Sequence, residues 1–251
     1  MDLELGGKVA IITGASRGIG FATADALAAE GCGLAICARG QDDLKTACDQ
    51  LARHGVDVFG RPCDVGDAPA LGRFLDAAHA HFGRADALIN NASAMTSGDS
   101  DEEYDLAFEL DLMSSVRASR QVVPWLSSAG GGAIVHVSST AALEAPGPPA
   151  YSALKAALIS HSKNLAVALA PQKIRVNVIA PGAIEFPGGV WEQARNDAPA
   201  GYAAMLATIP GGRMGRPEEV AHAIAFLVSP RASWISGAVL SVDGAQHKGN
   251  L

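Results

Sequence analysis

Several features that mark particular protein classes are scarce in this sequence. Four residues are cysteine (Cys32, Cys37, Cys48 and Cys63), and none of them stands in a Cys-x-x-Cys spacing. The seven histidines show no spacing typical of metal ligands, apart from one His-x-His pair at positions 79 and 81. Neither a disulfide framework nor a zinc domain is indicated. We therefore expect reduced, buried cysteines and no metal site.

Basic residues and long apolar runs are also lacking. Lysine and arginine number 19 against 26 aspartates and glutamates, so the net charge is 19 − 26 = −7. An acidic chain is poorly suited to nucleic acid or to an anionic membrane surface, and neither partner is expected. No apolar stretch reaches the roughly 18–20 residues that span a bilayer, and residues 1–5 lack the pattern of a secretion signal. These absences favour a cytoplasmic protein.

What is present is a regular alternation of apolar runs and helical patterns over 251 residues. The apolar runs predict strands at residues 8–13, 33–39, 56–61, 86–93, 133–137, 174–180 and 238–242. The longest helical patterns cover residues 101–126 and 153–170. This alternation predicts an α/β fold, a single-domain, Rossmann-type, doubly wound parallel sheet of about seven strands with helices on both faces. Residues 185–210, rich in glycine and proline, predict an irregular insertion that acts as a substrate lid.

A glycine-rich turn follows the first predicted strand. It has the sequence Gly14-Ala15-Ser16-Arg17-Gly18-Ile19-Gly20 and leads directly into a helical pattern. Gly14 allows a tight turn, Gly18 lets a diphosphate approach the main chain, and Gly20 permits close packing of helix on strand. The helix N-terminus adds free N–H groups and the positive end of the helix dipole. This order of elements predicts a dinucleotide-binding site.

The tip of the second predicted strand bears on the choice of dinucleotide. Enzymes that prefer NAD usually place an acidic residue there to bind the ribose 2′-hydroxyl. This chain has Ala38-Arg39 instead, and the nearest acids follow in the next helix. Arg39 and Arg17 would suit a 2′-phosphate, because a guanidinium binds phosphate through paired hydrogen bonds; alternatively, both are solvated surface side chains. NADP(H) is therefore expected in preference to NAD(H).

Tyr151 and Lys155 stand four residues apart at the start of an alanine- and leucine-rich segment. Residues at this spacing share one face of a helix, and a nearby positive charge favours the phenolate form of a tyrosine. Ser138 and Ser139 end the preceding apolar run, so one hydroxyl at a strand tip can face the same pocket. A Tyr-x-x-x-Lys pattern alone is weak. Combined with the glycine-rich turn, it indicates acid–base chemistry beside a bound dinucleotide.

Taken together, these stretches resemble the short-chain dehydrogenase/reductase family, in particular its 3-oxoacyl-carrier-protein-reductase-like branch. The matching stretches are Thr13-Gly14-x-x-x-Gly18-x-Gly20, Asp64-Val65, Asn90-Asn91-Ala92, Ser139, Tyr151-x-x-x-Lys155, Asn177 with Pro181-Gly182, and Val242-Asp243-Gly244. Residues 210–221 are similar to the segment that leads into the last helix of that branch. The resemblance implies an enzyme that interconverts a carbonyl and a secondary alcohol with NADP(H).

The resemblance also implies roles for individual residues. Tyr151 would be the general acid in reduction and the general base in oxidation, Lys155 would assist it and hold the nicotinamide ribose, and Ser139 would donate a hydrogen bond to the substrate oxygen. The family's usual spacing to the tyrosine selects Ser138 instead. We favour Ser139, which matches the strand tip, because loops absorb deletions more readily than strands.

The implied cofactor-binding residues surround the turn, the strand tips and the Tyr-Lys pair. They are Gly14, Ser16, Arg17, Gly18, Ile19, Gly20, Arg39, Asp64, Val65, Asn91, Ala92, Tyr151, Lys155, Pro181, Gly182 and Ile184. Asp64 has an alternative interpretation as a helix N-cap.

Asp111 is the main departure from the family pattern. The family has an asparagine there, whereas an ionised carboxylate accepts hydrogen bonds but cannot donate them. Near Lys155, this carboxylate is expected to compete with Tyr151 for the positive charge and to weaken the acid. Asp111 is therefore counted with the catalytic residues. It also supports an alternative function, a nucleotide-binding sensor or scaffold protein with weak or lost catalysis.

The substrate side departs from the family pattern as well. Ser93 replaces a glycine, and Ile184-Glu185-Phe186-Pro187 stands where the family has a threonine. Ile184 would meet the nicotinamide carboxamide through its main chain, with Glu185 and Phe186 facing the substrate. The candidate wall residues carry no charge and favour a neutral or partly hydrophobic carbonyl compound. They are Ser93, Ala94, Met95, Leu143, Trp191 and Tyr202.

The resemblance finally implies a homo-oligomer. Family members commonly form homotetramers through the long helices after the fourth and fifth strands. Small residues on the second of these helices, Ala153, Ala156, Ala157 and Ser160, would tolerate close approach of a partner helix. A tetramer or a dimer is therefore expected.

Overall fold

The computed structural model describes residues 2–249 of the chain. Within them, seven parallel strands form one sheet in the order β3-β2-β1-β4-β5-β6-β7. The strands are β1 Val9–Thr13, β2 Gly33–Ala38, β3 Val58–Pro62, β4 Ala87–Asn90, β5 Gly132–Val137, β6 Ile174–Pro181 and β7 Val239–Val242. This sheet confirms the predicted doubly wound, Rossmann-type fold.

Helices cover both faces of the sheet, as predicted. The α-helices of the described chain are α1 Gly18–Ala29, α2 Gln41–Leu51, α3 Ala68–Phe82, α4 Asp101–Ala107, α5 Ser114–Ser128, α6 Pro149–Leu169, α7 Val190–Asp197, α8 Pro199–Thr208 and α9 Pro217–Val228. None of them is both long and apolar enough to cross a membrane.

The core has two halves, one on each face of the sheet. Successive strand residues point to opposite faces, and β1 shows this directly. Ile12 packs in a buried cluster that includes Leu27 of α1, whereas Ile11 packs in a second cluster with Phe74 of α3 and Leu126 of α5. Because both faces are covered, the strands are continuous apolar runs, and this made them recognisable in the sequence.

The order of the strands reverses at β1, which lies between β2 and β4. At such a point the loops after adjacent strands diverge and leave a crevice at the carboxyl ends of the strands. Asn91, just after β4, bridges the crevice at its base, because its side-chain amide donates to the main-chain oxygens of Thr13 and Gly14 at 3.0 and 2.9 Å. This contact also ends β4 at Asn90, three residues before the predicted end.

The helix predicted over residues 101–126 contains an interruption. A π-helical turn at Phe108–Met113 separates α4 from α5, and Asp111 within this turn is buried. A π-helical turn adds a residue to the helix and so changes which side chains face inward, and such turns are frequent at functional sites. Pro124 lies inside α5 near its end.

The irregular insertion predicted at residues 185–210 is largely helical, so this prediction was wrong in detail. Two short helices, α7 and α8, occupy most of it. One glycine and one proline of the segment stand at helix boundaries: Gly189 is the N-cap residue of α7, and Pro199 is the first residue of α8. Proline at a first helical position costs no hydrogen bond. Its role as a substrate lid stays a prediction, and residues 185–210 are called the lid segment below.

Candidate active site

A cavity of about 700 Å³ lies at the carboxyl ends of the strands. Most of the predicted site residues line it: Gly14, Ser16, Arg17, Ile19, Arg39, Asp64, Val65, Asn91, Ala92, Ser139, Tyr151, Lys155, Pro181 and Ile184. Four others, Gly18, Gly20, Gly182 and Asp111, do not line it. The fold thus brings the glycine-rich turn and the Tyr-Lys pair to one cavity.

The glycine-rich turn has no room for side chains. Gly14 has a φ of +67°, and a Cβ there would lie 2.9 Å from the Cα of Ala92. At Gly20 a Cβ would collide with the main-chain oxygen of Gly14. The roles predicted for these two glycines, a tight turn and close helix packing, agree with this geometry.

The N-terminus of α1 suits an anion. Its N-cap residue, Arg17, has extended main-chain angles and makes no side-chain capping bond. The first N–H groups of a helix lack partners within the helix, and here no side chain of the cap supplies one. These groups and the dipole fit a diphosphate at the cavity wall.

Arg39 and Arg17 behave differently at the adenosine end of the cavity. Arg39 lines the cavity and has no hydrogen bond or ion pair with residues 2–249. Arg17 donates from Nη1 to the main-chain oxygen of Gly188, 3.1 Å away in the lid segment. Arg39 is therefore the side chain available for a phosphate, and Arg17 ties the lid segment to the glycine-rich turn.

Asp64 is not the N-cap residue of the helix that follows it, because Asp67 occupies that position. Asp67 is the N-cap residue of α3 and accepts from the N–H of Ala70 at 3.1 Å. Asp64 instead accepts from the N–H of Gly66 at 3.0 Å and lines the cavity.

Tyr151 and Lys155 lie in the first two turns of α6. Both are buried, and Nζ of Lys155 lies 5.6 Å from the centroid of the Tyr151 ring. Nζ donates to the main-chain oxygen of Val137 at 2.9 Å and forms an ion pair with Asp111 at 3.1 Å. The lysine is therefore held in place from two sides, by the tip of β5 and by the π-helical turn.

The two serines at the tip of β5 have different partners. The hydroxyl of Ser138 is buried and donates to the main-chain oxygen of Lys155 at 3.0 Å. Ser139 is half-buried and accepts from the N–H of Ala141 at 3.1 Å, which starts a short 3₁₀ turn. Since Ser139 uses only an acceptor site in this contact, its O–H can still donate into the cavity.

Comparisons with known proteins identify the family of the chain. A family model described as enoyl-(acyl carrier protein) reductase matches residues 14–247. The 3-oxoacyl-(acyl-carrier-protein) reductase FabG of Escherichia coli (strain K12) is 36% identical over 246 residues, which cover 96% of this chain and 98% of the relative. The chain belongs to the short-chain dehydrogenase/reductase family.

Solved structures of family members superimpose closely on the chain. L-sorbose reductase from Gluconobacter frateurii, complexed with NADPH and L-sorbose, has a TM-score of 0.93 and 35% identity, with coverage of 99% of this chain and 100% of the other. A 7α-hydroxysteroid dehydrogenase, complexed with NADH and 7-oxoglycochenodeoxycholic acid, has a TM-score of 0.90 and 34% identity, with coverage of 97% and 95%.

The lid segment departs from what the family pattern suggested. Phe186 covers the glycine-rich turn, because a Cβ on Gly18 would lie 2.6 Å from its ring. Glu185 was expected to face the substrate but does not line the cavity; it forms an ion pair with Arg195 and accepts from the hydroxyl of Tyr202 at 2.9 Å. This hydrogen bond raises the pKa of Tyr202.

The candidate substrate wall is only partly as predicted. Ser93, Ala94, Met95 and Trp191 line the cavity, whereas Leu143 and Tyr202 do not. Tyr202 is drawn away by Glu185 and packs with a small buried cluster around Met214 instead.

Several cavity residues have no signal in the sequence. They are Ala38, Gly40, Asp43 and Cys63 at the adenosine end, Leu110 and Val137 at the centre, and Gly188, Gly189, Val190 and Gln193 in the lid segment. The lid residues reach the cavity only because the segment folds back over the glycine-rich turn, a contact between positions about 170 residues apart.

The four cysteines are free, and burial raises the pKa of Cys32 to about 12. Within residues 2–249, no group of three or more histidine, cysteine or acidic side chains is arranged to hold a metal ion.

Proposed function

We propose that this protein is an NADP(H)-dependent oxidoreductase that interconverts a carbonyl group and a secondary alcohol, with Tyr151 as the general acid–base. The observation that carries the proposal is that Tyr151, Lys155 and the glycine-rich turn all line the same cavity. It joins a phenol, an ammonium group 5.6 Å from the phenol ring and a diphosphate-binding turn. The family relatives described above are named as reductases and dehydrogenases, which supports the same reaction class.

The cavity fits the cofactor. The glycine-rich turn and the N-terminus of α1 would hold the diphosphate, Arg39 the 2′-phosphate, and Lys155 the nicotinamide ribose. When bound, NADPH supplies the hydride. The two solved relatives contain NADPH and NADH respectively, so the family permits either cofactor. Arg39, together with the lack of an acidic residue at the tip of β2, supports NADP(H) here.

We assign proton transfer and stabilisation of the substrate oxygen to residues of α6 and β5. The hydroxyl of Tyr151 would donate a proton to the substrate oxygen in reduction and accept one in oxidation. The O–H of Ser139 would donate a hydrogen bond to the same oxygen and stabilise its negative charge. Lys155 adds a fixed positive charge, held in position by the main-chain oxygen of Val137.

The substrate wall supports a neutral or partly hydrophobic carbonyl compound. Its side chains carry no charge: Ser93, Ala94, Met95, Val190, Trp191 and Gln193. The nearby carboxylate of Glu185 is turned away and paired with Arg195. An anionic substrate would find no fixed positive charge on this wall. Burying even a neutral polar group without a hydrogen bond costs on the order of 2–7 kcal/mol, and burying an unpaired charge costs more.

Turnover with a panel of neutral ketones and secondary alcohols tests the proposal. We expect oxidation of NADPH by at least one ketone, and Tyr151→Phe should lower kcat by about 10²–10⁴-fold while NADPH still binds. Tyr104→Phe is the matched control, because Tyr104 is exposed and does not line the cavity. Unchanged activity of Tyr151→Phe would refute the assigned role.

A nucleotide-binding sensor or scaffold is the second candidate function. The ion pair between Asp111 and Lys155, at 3.1 Å, is the observation that favours it, since a carboxylate there offsets the charge beside Tyr151. NADPH binding without turnover across the panel, and no effect of Tyr151→Phe on any readout, would establish this candidate in place of the enzyme.

We also propose that the chain forms a homo-oligomer through α5 and α6. Ala153, Ala156 and Ser160 are exposed along α6, and Val167 on the same helix is 70% exposed. Small residues permit close helix approach, and an exposed valine favours burial by a partner. Light scattering should give a dimer or tetramer mass; a monomer mass would reject the proposal. A cytoplasmic location is likewise proposed, to be tested by cell fractionation.

A further inference from the structure

Ser93, Asp111 and Lys155 form a polar cluster beside Tyr151. The side chains of Asp111 and Lys155 are buried, and an ammonium group and two hydrogen-bond donors surround the Asp111 carboxylate. Lys155 Nζ lies 3.1 Å from Oδ1, the hydroxyl of Ser93 donates to Oδ1 at 2.5 Å, and the N–H of Ala94 donates to Oδ2 at 3.3 Å. Both hydrogen-bond partners donate to the carboxylate, which accepts, and the ammonium group supplies the opposite charge, so the set is complementary.

The cluster restricts Lys155. Its ammonium group donates a hydrogen bond to the main-chain oxygen of Val137 and forms an ion pair with Asp111. Lys155 also lines the cavity, so its position there is set by these two partners. Asp111 can take this part because the π-helical turn Phe108–Met113 directs it inward. The carboxylate thus helps to fix where the lysine places its positive charge.

The same carboxylate holds the substrate wall. Ser93 and Ala94 follow β4, and the hydroxyl of Ser93 also accepts from the N–H of Met95 at 3.2 Å. Met95 has a φ of +53°, a conformation that disfavours residues other than glycine. These hydrogen bonds hold residues 93–95 in a shape that the isolated chain would avoid, with Met95 lining the cavity.

We propose that Ser93 and Asp111 are positioning residues that act as one unit: Asp111, oriented by the hydroxyl of Ser93, fixes both Lys155 and the wall segment 93–95. The inference rests on the proposed function and extends it. It also revises the expectation that Asp111 only weakens the acid. In this arrangement the serine and the aspartate depend on each other, since each loses its partner when the other is changed.

A double-mutant cycle of Ser93→Ala and Asp111→Ala tests the dependence, because each substitution removes one partner of the hydrogen bond between them. We expect Ser93→Ala alone to lower kcat about tenfold and to raise KM for the carbonyl substrate, because both the lysine and the wall lose support. Asp111→Ala should lower kcat at least as much. The double variant should be no worse than Asp111→Ala within about threefold. Losses that multiply in the double variant would overturn the proposal.

Two further variants separate positioning from general damage to the loop. Ser93→Thr keeps the hydroxyl and should retain kcat within about threefold. Thr96→Val removes a nearby buried hydroxyl, which has no hydrogen-bond partner within residues 2–249, and should leave kcat and KM unchanged. If Ser93→Ala behaves like Thr96→Val, the hydroxyl has no positioning role and the proposal is rejected.

The same cycle is measured by urea unfolding of the nucleotide-free protein. Ser93→Ala should raise the equilibrium constant for unfolding about tenfold in the wild-type background and by less than about threefold in the Asp111→Ala background. This readout needs neither cofactor nor turnover. If the unfolding effects of the two substitutions add, the Ser93–Asp111 unit is rejected, even if the enzyme is active. If the effects are coupled but no substrate is turned over, only the proposed function is rejected.

Discussion

The hydroxyl of Ser138 donates to the main-chain oxygen of Lys155 at 3.0 Å. This bond joins the tip of β5 to α6 beside the lysine, and the ammonium of Lys155 returns a bond to Val137 at 2.9 Å. Ser138 is thereby committed to the packing of a helix on a strand. Ser139, whose O–H has no such commitment, is left to contact a substrate.

Substitution of the two serines should therefore have different effects. Ser139→Ala should lower kcat by about 10²–10³-fold, the usual loss for one donor to a developing oxyanion, and should also cost about 1 kcal/mol of stability, because the N–H of Ala141 loses its acceptor. Ser138→Ala should lower the free energy of unfolding by about 1 kcal/mol through loss of a buried hydrogen bond, with a much smaller effect on kcat. Steady-state kinetics and urea unfolding of both variants measure these effects. A larger loss of kcat in Ser138→Ala than in Ser139→Ala would assign the catalytic hydroxyl to Ser138.

Arg39 should determine the preference between NADPH and NADH. Arg39→Asp replaces a free guanidinium by a carboxylate, which repels a 2′-phosphate and accepts from a 2′-hydroxyl. The ratio of kcat/KM for NADPH to that for NADH should fall by about 10–100-fold, as expected for a hydrogen bond to a charged group. Arg53→Asp makes the same charge change at an exposed residue outside the cavity. Equal ratios in the two variants would remove Arg39 as the phosphate-binding residue.

The parts of the fold that follow from local chemistry were predictable from the sequence. Buried parallel strands are apolar on both faces, so runs such as Val9–Thr13 stand out. Gly14 and Gly20 leave no room for a Cβ, and their spacing next to a strand and a helix signals a dinucleotide turn. The four-residue spacing of Tyr151 and Lys155 fixed their common face once α6 was recognised.

The parts that depend on contacts between distant segments were not predictable. The lid segment was expected to be irregular and its Glu185 to face the substrate, but the ion pair with Arg195 turns Glu185 away. Phe186 reaches the glycine-rich turn only after the lid has folded across it. The π-helical turn that buries Asp111 cannot be recognised from the spacing of apolar residues in the sequence, because an amphipathic helical pattern tolerates one added residue.

The contact between Phe186 and Gly18 gives a prediction about stability. Gly18→Ala should cost about 1–2 kcal/mol for a left-handed alanine at a φ of +58°, plus a steric cost, since the new Cβ would lie 2.6 Å from Phe186. Adding Phe186→Ala should relieve only the steric part. Gly55→Ala is the control, because Gly55 has a φ of +76° and a Cβ added there would have no other atom within 4 Å.

Urea unfolding of the single and double variants measures both costs. The effect of Gly55→Ala should be the same with and without Phe186, because only conformational strain is involved there. The effect of Gly18→Ala should shrink when Phe186 is absent. If the two glycine substitutions respond alike to the loss of the ring, Phe186 does not cover the turn.

His136 should make the stability of the protein depend on pH. It is buried in β5, where burial, followed by the charges of His161 and Lys155, lowers its pKa from 6.5 to about 3. Its Nδ1 faces the side-chain amide of Asn90 at 3.2 Å. If that amide nitrogen donates, Nδ1 must stay unprotonated, so the neutral ring satisfies the contact and the protonated ring would oppose it.

The unfolded chain binds a proton at this position below about pH 6.5, whereas the folded chain does not until about pH 3. The contribution of His136 is thus complete above pH 6.5 and is lost as the pH falls from 6.5 towards 3. Between about pH 7 and pH 5 the loss should be about 2 kcal/mol. Other groups also titrate there, so the measurement is the difference in unfolding free energy between wild type and His136→Asn across this range. His222→Asn, at an exposed histidine, is the control and should leave the slope of unfolding free energy against pH as in the wild type. If His136→Asn also left this slope unchanged, His136 would not be buried as a neutral ring.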